Sequence, residues 1–162
     1  MPRAIFLDTF PLSSVGKVMK TGTSETEKCQ SWVLSCLAVG HKIYVPEISY
    51  YECIRELKRL NAKVQIAKIK AFCGAVSDRL IPINSSHLEL ASDFWATARQ
   101  TGKPTANDQA LDGDMILCAQ AISLGIPDSD FVIATTNVAR LSPFAPADQW
   151  QNITPGSCTT TK

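Results

Sequence analysis

Short unbroken apolar runs alternate along this chain with longer stretches in which apolar residues recur at helical spacing. The run Ala4-Ile5-Phe6-Leu7 predicts a buried strand, and the polar, Gly- and Ser-containing stretch from Asp8 to about residue 23 reads as a loop. Ser24 and Glu27 have capping-box spacing, and Cys29, Trp32, Val33, Cys36 and Leu37 then repeat on one face until Gly40 ends the helix. Residues 43–45 form a second apolar run, stopped by Pro46. Ser49 with Glu52 repeats the capping-box spacing and opens a helix to about residue 60, and a further helix over 62–76 aligns Ile66, Ile69, Phe72, Cys73 and Val76. Residues 80–83 read as a strand near a sheet edge, because Pro82 cannot donate to a ladder. Ser86 with Glu89 caps a helix carrying Leu88, Ala91, Phe94, Trp95 and Ala98, ended by Gly102.

Beyond a loop at 103–107, a helix around Leu111, Met115, Cys118, Ala119 and Ile122 ends at Gly125. A buried strand follows over 131–134, with Thr135-Thr136-Asn137 at its C-terminal end, and a short last strand is predicted near 150–153. Strands alternating with helices imply a parallel sheet covered on both faces, a three-layer α/β/α sandwich. With no repeat and no linker, the pattern describes one domain over 1–153 and a disordered Thr-rich tail over 154–162.

Composition narrows the class. At 162 residues and 45% hydrophobic content the chain can bury a core without metal or disulfide help. A net charge of +1 means that any affinity for nucleic acid must come from a local patch. The six cysteines are dispersed, with no C-x-x-C pair and no histidines at zinc spacing, which reads as a reduced, intracellular protein. No segment has the apolar length of a signal-peptide core or a membrane span, so a cytoplasmic protein without membrane association is expected.

The chemistry lies in scattered acids. Asp8 ends the first apolar run, Glu52 opens an early helix, and Asp112 and Asp114 precede a late one. Each has an ordinary reading as a cap, a turn residue or a first-turn carboxylate. A parallel sheet, however, places the ends of its strands on one rim, so Asp8 and the Thr135 to Asn137 segment are expected to share an edge. Asp114 follows a long loop, and spacing alone does not bring it there.

The segments Phe6-Leu7-Asp8-Thr9, Ile48-Ser49-Tyr50-Tyr51-Glu52, Asp114-Met115-Ile116-Leu117-Cys118-Ala119-Gln120-Ala121 and Ala134-Thr135-Thr136-Asn137 resemble, in order and spacing, the successive motifs of PIN-domain nucleases, including the VapC-type toxins. The resemblance spans about residues 4 to 141. It implies a PIN-like fold and Mg²⁺ or Mn²⁺ bound by Asp8, Glu52 and Asp114 as catalytic metal ligands. It also implies an endoribonuclease acting on RNA, more readily single-stranded, with an antitoxin protein as partner and homodimerisation as family expectations. Oxygen ligands around a wet pocket suit such a cation, which can activate a bound water and neutralise a phosphodiester oxygen. Thr9 and Thr135 would orient the carboxylates from behind, beside Asn137. Many family members carry an acid where this chain has Asn137; Asp112 either supplies the missing charge as a ligand or caps its helix.

Arg55, Lys58, Arg59, Lys63, Lys68 and Lys70 lie within sixteen residues, opposed only by Glu56, and offer a grip on phosphates. Such a stretch also fits an ordinary solvated helix face. Among them, Arg55 lies one turn from Glu52, where it would neutralise the acids or hold a phosphate. A haloacid-dehalogenase-type phosphatase would need an Asp where Phe10 stands. A non-catalytic PIN-like module binding RNA or protein is the alternative to a nuclease. His41 and His87 receive no role, and Gly16-Lys17 lacks the spacing of a phosphate-binding loop.

Overall fold

The computed structural model describes residues 3–102 and 112–156. Five strands form a wholly parallel sheet in the order β3-β2-β1-β4-β5: β1 (Ala4–Leu7), β2 (Lys42–Pro46), β3 (Leu80–Ile81), β4 (Phe131–Thr135) and β5 (Ala147–Gln149). The apolar runs have no polar positions because both faces of the sheet are covered. Ile5 and Leu7 of β1, with Val132 and Ala134 of β4, enter one core; Phe6, Phe131 and Ile133 enter the other. The first core is completed by α1 (Thr9–Val15), α2 (Glu25–Ala38), most of α3 (Glu47–Arg59) and α4 (Lys63–Gly74). The second is completed by α5 (Ser85–Gln100), α6 (Gly113–Ile122) and α7 (Val138–Leu141), where Phe6 stacks on Tyr44 at 5.1 Å. This is the expected α/β/α sandwich, with β3 at an edge.

Several local expectations are corrected. The segment after Asp8 is a helix, not a loop: Asp8 caps α1 by accepting from the Thr9 N–H, and Pro11 sits in the first turn, where its missing N–H costs no hydrogen bond. Leu12 of that helix is fully buried. Ser49 does not cap α3, which starts two residues earlier, directly from Pro46. Its buried hydroxyl lies inside the helix without a hydrogen-bond partner among the described residues. Likewise α5 is capped by Asn84, not Ser86: Asn84 Oδ1 accepts from the His87 N–H at 3.1 Å, and His87 Nδ1 accepts from the Asn84 N–H at 3.2 Å. Thus His87 is a buried cap partner. The strand at 80–83 is only Leu80–Ile81, because the Ile83 N–H turns to Glu47 Oε2 at 2.6 Å. The last strand is Ala147–Gln149, while residues 150–152 make a 3₁₀ turn that returns Trp150 to the core beside Trp32.

Other expectations hold in whole or in part. The expected start of α2 holds in part: Ser24 Oγ accepts from the Glu27 N–H as the N-cap. The Glu27 carboxylate, however, accepts from the Ser24 hydroxyl and from the Lys20 and Gly22 N–H groups, not from the Ser24 N–H, and these bonds fix the turn before α2. The five described cysteines are buried and free, with the Cys29, Cys36 and Cys73 thiols pushed up to about 11 by burial, as suits small hydrophobes. His41 accepts from the Arg3 N–H and contacts the Pro155 carbonyl at 2.7 Å, tying the two ends of the described chain together. The loop predicted at 103–107, Leu111, and the tail beyond residue 156 lie outside the described residues. No described helix is long and apolar enough to cross a membrane.

Candidate active site

The chain connects β1 to β2 on one side and returns through β4 on the other, so the strand order switches direction between β1 and β4. In open α/β sheets a crevice opens at such a point, outside the C-terminal ends of the strands. Asp8 stands at that place. Its N–H donates to the Ala134 carbonyl at 3.1 Å, extending the ladder by one residue, and its side chain is then directed across the gap. Asp8 Oδ1 accepts from the Thr9 N–H at 2.7 Å and Oδ2 from the Thr135 hydroxyl at 2.7 Å. Thr135 in turn accepts from the Asn137 N–H at 2.9 Å, so Asn137 contributes its backbone to the site while the residue itself is exposed.

Glu52 approaches from α3. Its Oε2 accepts from the Thr9 hydroxyl at 2.7 Å, which makes Thr9 the bridge between Asp8 and Glu52. The other oxygen, Oε1, lies against Gly113, where a Cβ would stand 2.3 Å away. Only glycine at the start of α6 leaves room for the carboxylate. Gln120, fully buried on the same helix, accepts from the Ile48 N–H at 3.2 Å and donates to the Ile81 carbonyl at 2.7 Å. Those bonds satisfy one of the unpaired N–H groups at the start of α3 and fix α6 against α3 and β3.

Asp114 is delivered by the first turn of α6. Its carboxyl is pushed up to about 6, first by burial, then by the charges of Asp8 and Asp112; Arg140 opposes the rise and Glu52 adds to it. Burial likewise raises the Asp8 carboxyl, against the lowering effect of the Thr135 and Thr9 hydrogen bonds. Asp112 is the N-cap of α6, accepting from the Met115 N–H at a long 3.4 Å. Asp8, Glu52 and Asp114 therefore meet on one rim, with Thr9 and Thr135 behind the first two. Among the described residues, no three carboxylate, histidine or cysteine groups are already drawn together at ion-holding distance. The donor set is nonetheless all oxygen, and its mutual repulsion is what a hard divalent cation relieves.

The basic stretch is divided. Arg59 is engaged by Glu56 through two bonds, and Arg55 stacks over the Tyr51 ring at 5.3 Å. Arg55 and Lys58 of α3 and Lys70 of α4 line a groove of about 270 Å³ together with Tyr50, Tyr51 and Glu47. A residue with no part in the sequence reading, Arg140 of α7, places its Nη1 3.5 Å from Asp114 Oδ2. The only available signal was a basic residue one turn beyond the strand-end segment Thr135-Thr136-Asn137.

An all-parallel five-stranded sheet flanked by helices on both faces is a PIN-like α/β/α fold. The solved structures agree with that class. VapBC-1 from nontypeable Haemophilus influenzae superposes with a TM-score of 0.55 at 16% identity, covering 92% of this chain and 99% of that one. DNA-bound VapBC from Salmonella typhimurium gives 0.61 at 16% identity, covering 93% and 99%. VapBC2 from Rickettsia felis, bound to a promoter DNA fragment, gives 0.61 at 11% identity, covering 91% and 98%. At such identities the likeness is one of fold. No family model and no curated protein matches the sequence.

Proposed function

We propose that the protein is a divalent-metal-dependent endoribonuclease that hydrolyses phosphodiester bonds in single-stranded RNA. The observation that carries the reading is the meeting of Asp8, Glu52 and Asp114, from three separate elements, at the sheet's switch point. Asp8, Glu52 and Asp114 would hold Mg²⁺ or Mn²⁺, and the bound ion would supply an activated water and neutralise a phosphate oxygen. Asp8 is oriented by the Thr135 hydroxyl and the Thr9 N–H, and Glu52 by the Thr9 hydroxyl. Asp112 adds its charge at the start of α6, beside Asp114, and is a fourth candidate ligand. Arg55, Lys58 and Lys70 provide a basic approach for the strand, whereas Arg59 is committed to Glu56.

The likeness to VapBC structures supports a toxin role with a protein antitoxin as partner. A second reading, a PIN-like module that binds RNA or protein without cutting, is favoured by the absence of a ready three-ligand cage among the described residues. Incubation of labelled single-stranded RNA and DNA with Mg²⁺, Mn²⁺ or EDTA separates the two. The nuclease reading expects RNA cleavage with either metal and none in EDTA; intact RNA under every condition, with RNA retained by the protein, would establish the binding module.

A further inference from the structure

The geometry points to Arg140 as the residue that grips the scissile phosphate of the RNA, an inference resting on the nuclease reading above. Its guanidinium lies 3.5 Å from Asp114, close enough for charge attraction but beyond the usual N–H···O hydrogen-bond range of about 2.7–3.2 Å. The side chain is 56% exposed. Arg140 is thus held over the acids by charge while its donors remain available, and a guanidinium presents five N–H groups in a fixed fork that matches phosphate oxygens. Other described arginines are spent differently: Arg59 is bonded twice to Glu56, and Arg79 donates to the Phe72 carbonyl while stacking on the Phe72 ring.

The backbone under Arg140 is fixed to the site it serves. The next residue, Leu141, is fully buried, and its carbonyl accepts from the Cys118 thiol at 3.8 Å, one turn beyond Asp114 on α6. The short helix α7 is thereby held against the helix that carries Asp114. A phosphate drawn to the carboxylate-bound cation would meet Arg140 on the solvent side of the same acids.

The test compares the wild-type protein with Arg140→Gln and Arg140→Lys. Each is measured for binding of fluorescein-labelled single-stranded RNA in Ca²⁺ over a salt series, for Mn²⁺ affinity by calorimetry, and for RNA cleavage in Mn²⁺. Loss of one phosphate contact predicts about tenfold weaker RNA binding in Arg140→Gln and a salt slope smaller by about 0.7. Its kcat should fall on the order of 100-fold, with Mn²⁺ affinity kept or increased. Arg140→Lys should restore the salt slope but only part of kcat, because the charge returns without the fork. Wild-type RNA affinity and salt slope in Arg140→Gln would overturn the assignment. So would a loss confined to Mn²⁺ affinity, which would make Arg140 a support for Asp114 alone. If the wild-type protein cuts no RNA, the nuclease reading fails separately, and the RNA-binding comparison still decides whether Arg140 holds a phosphate.

Discussion

Asp114 carries the clearest tension between stability and chemistry at the scale of single residues. Its carboxyl is raised to about 6 from 3.8 by burial and by the neighbouring acids, so the folded state favours the protonated form. The resulting stabilisation is fully present below the unfolded pKa and is lost as pH rises through the folded one. Between pH 4 and neutrality the metal-free protein should therefore lose stability on this account, by at most about 3 kcal/mol at roughly 1.4 kcal/mol per pKa unit. Asp114→Asn should remove that slope and melt higher than wild type at neutral pH in EDTA, a gain often found when a functional charge is deleted. Thermal melts of both proteins across pH check this; equal slopes would contradict it. Added Mn²⁺ should reverse the order, since only the wild type gains by binding the ion.

Two helix contacts decide whether the acids meet at the scale of elements. Gly113 gives Glu52 its space, so Gly113→Ala forces Glu52 Oε1 away from a Cβ 2.3 Å off. The fold should tolerate this, because the clash is with the end of a flexible side chain. Mn²⁺ affinity should fall by about 10- to 100-fold, the range seen when a supporting contact is lost, with little change in Tm; calorimetric titration checks both. Gln120→Leu should act the other way. It leaves the Ile48 N–H and Ile81 carbonyl buried without partners, and urea unfolding should show a loss on the order of 2–5 kcal/mol. Unchanged stability would show that Gln120 does not fix α6.

These same elements show what the sequence makes legible. The strands were readable because a strand buried on both faces has no polar residue to interrupt its apolar run. The helix after Asp8 was not, because Pro11, Ser13 and Ser14 resemble loop residues, although Asp8 as a cap and proline in the first turn were start signals. Ser49 misled because its spacing to Glu52 imitates a capping box that the direct passage from Pro46 into α3 makes unnecessary. Asp114 could be brought to the rim only through the family resemblance, since no local pattern encodes where a helix after a long loop will dock. Arg140 has no motif at all: its significance comes from packing α7 beside α6.

At the scale of the whole molecule, the switch of strand direction between β1 and β4 brings residues far apart in sequence to one rim of the sheet. Asp8 and Thr135, 127 positions apart, share a 2.7 Å hydrogen bond there. The sheet contributes Asp8 and Thr135, α3 contributes Glu52, and α6 contributes Asp114, so the site requires the entire fold. Its charge is local, in a chain whose net charge is only +1. RNA binding should accordingly weaken with salt through a few phosphate contacts and not through a general basic surface. The central claim is that these acids hold a metal that cuts RNA. It is tested most directly by following cleavage of a labelled single-stranded RNA by wild type and Asp114→Asn side by side in saturating Mn²⁺, with an EDTA control. The account predicts cutting by the wild type alone, abolished by EDTA; cutting that persists in EDTA or survives the substitution would contradict it.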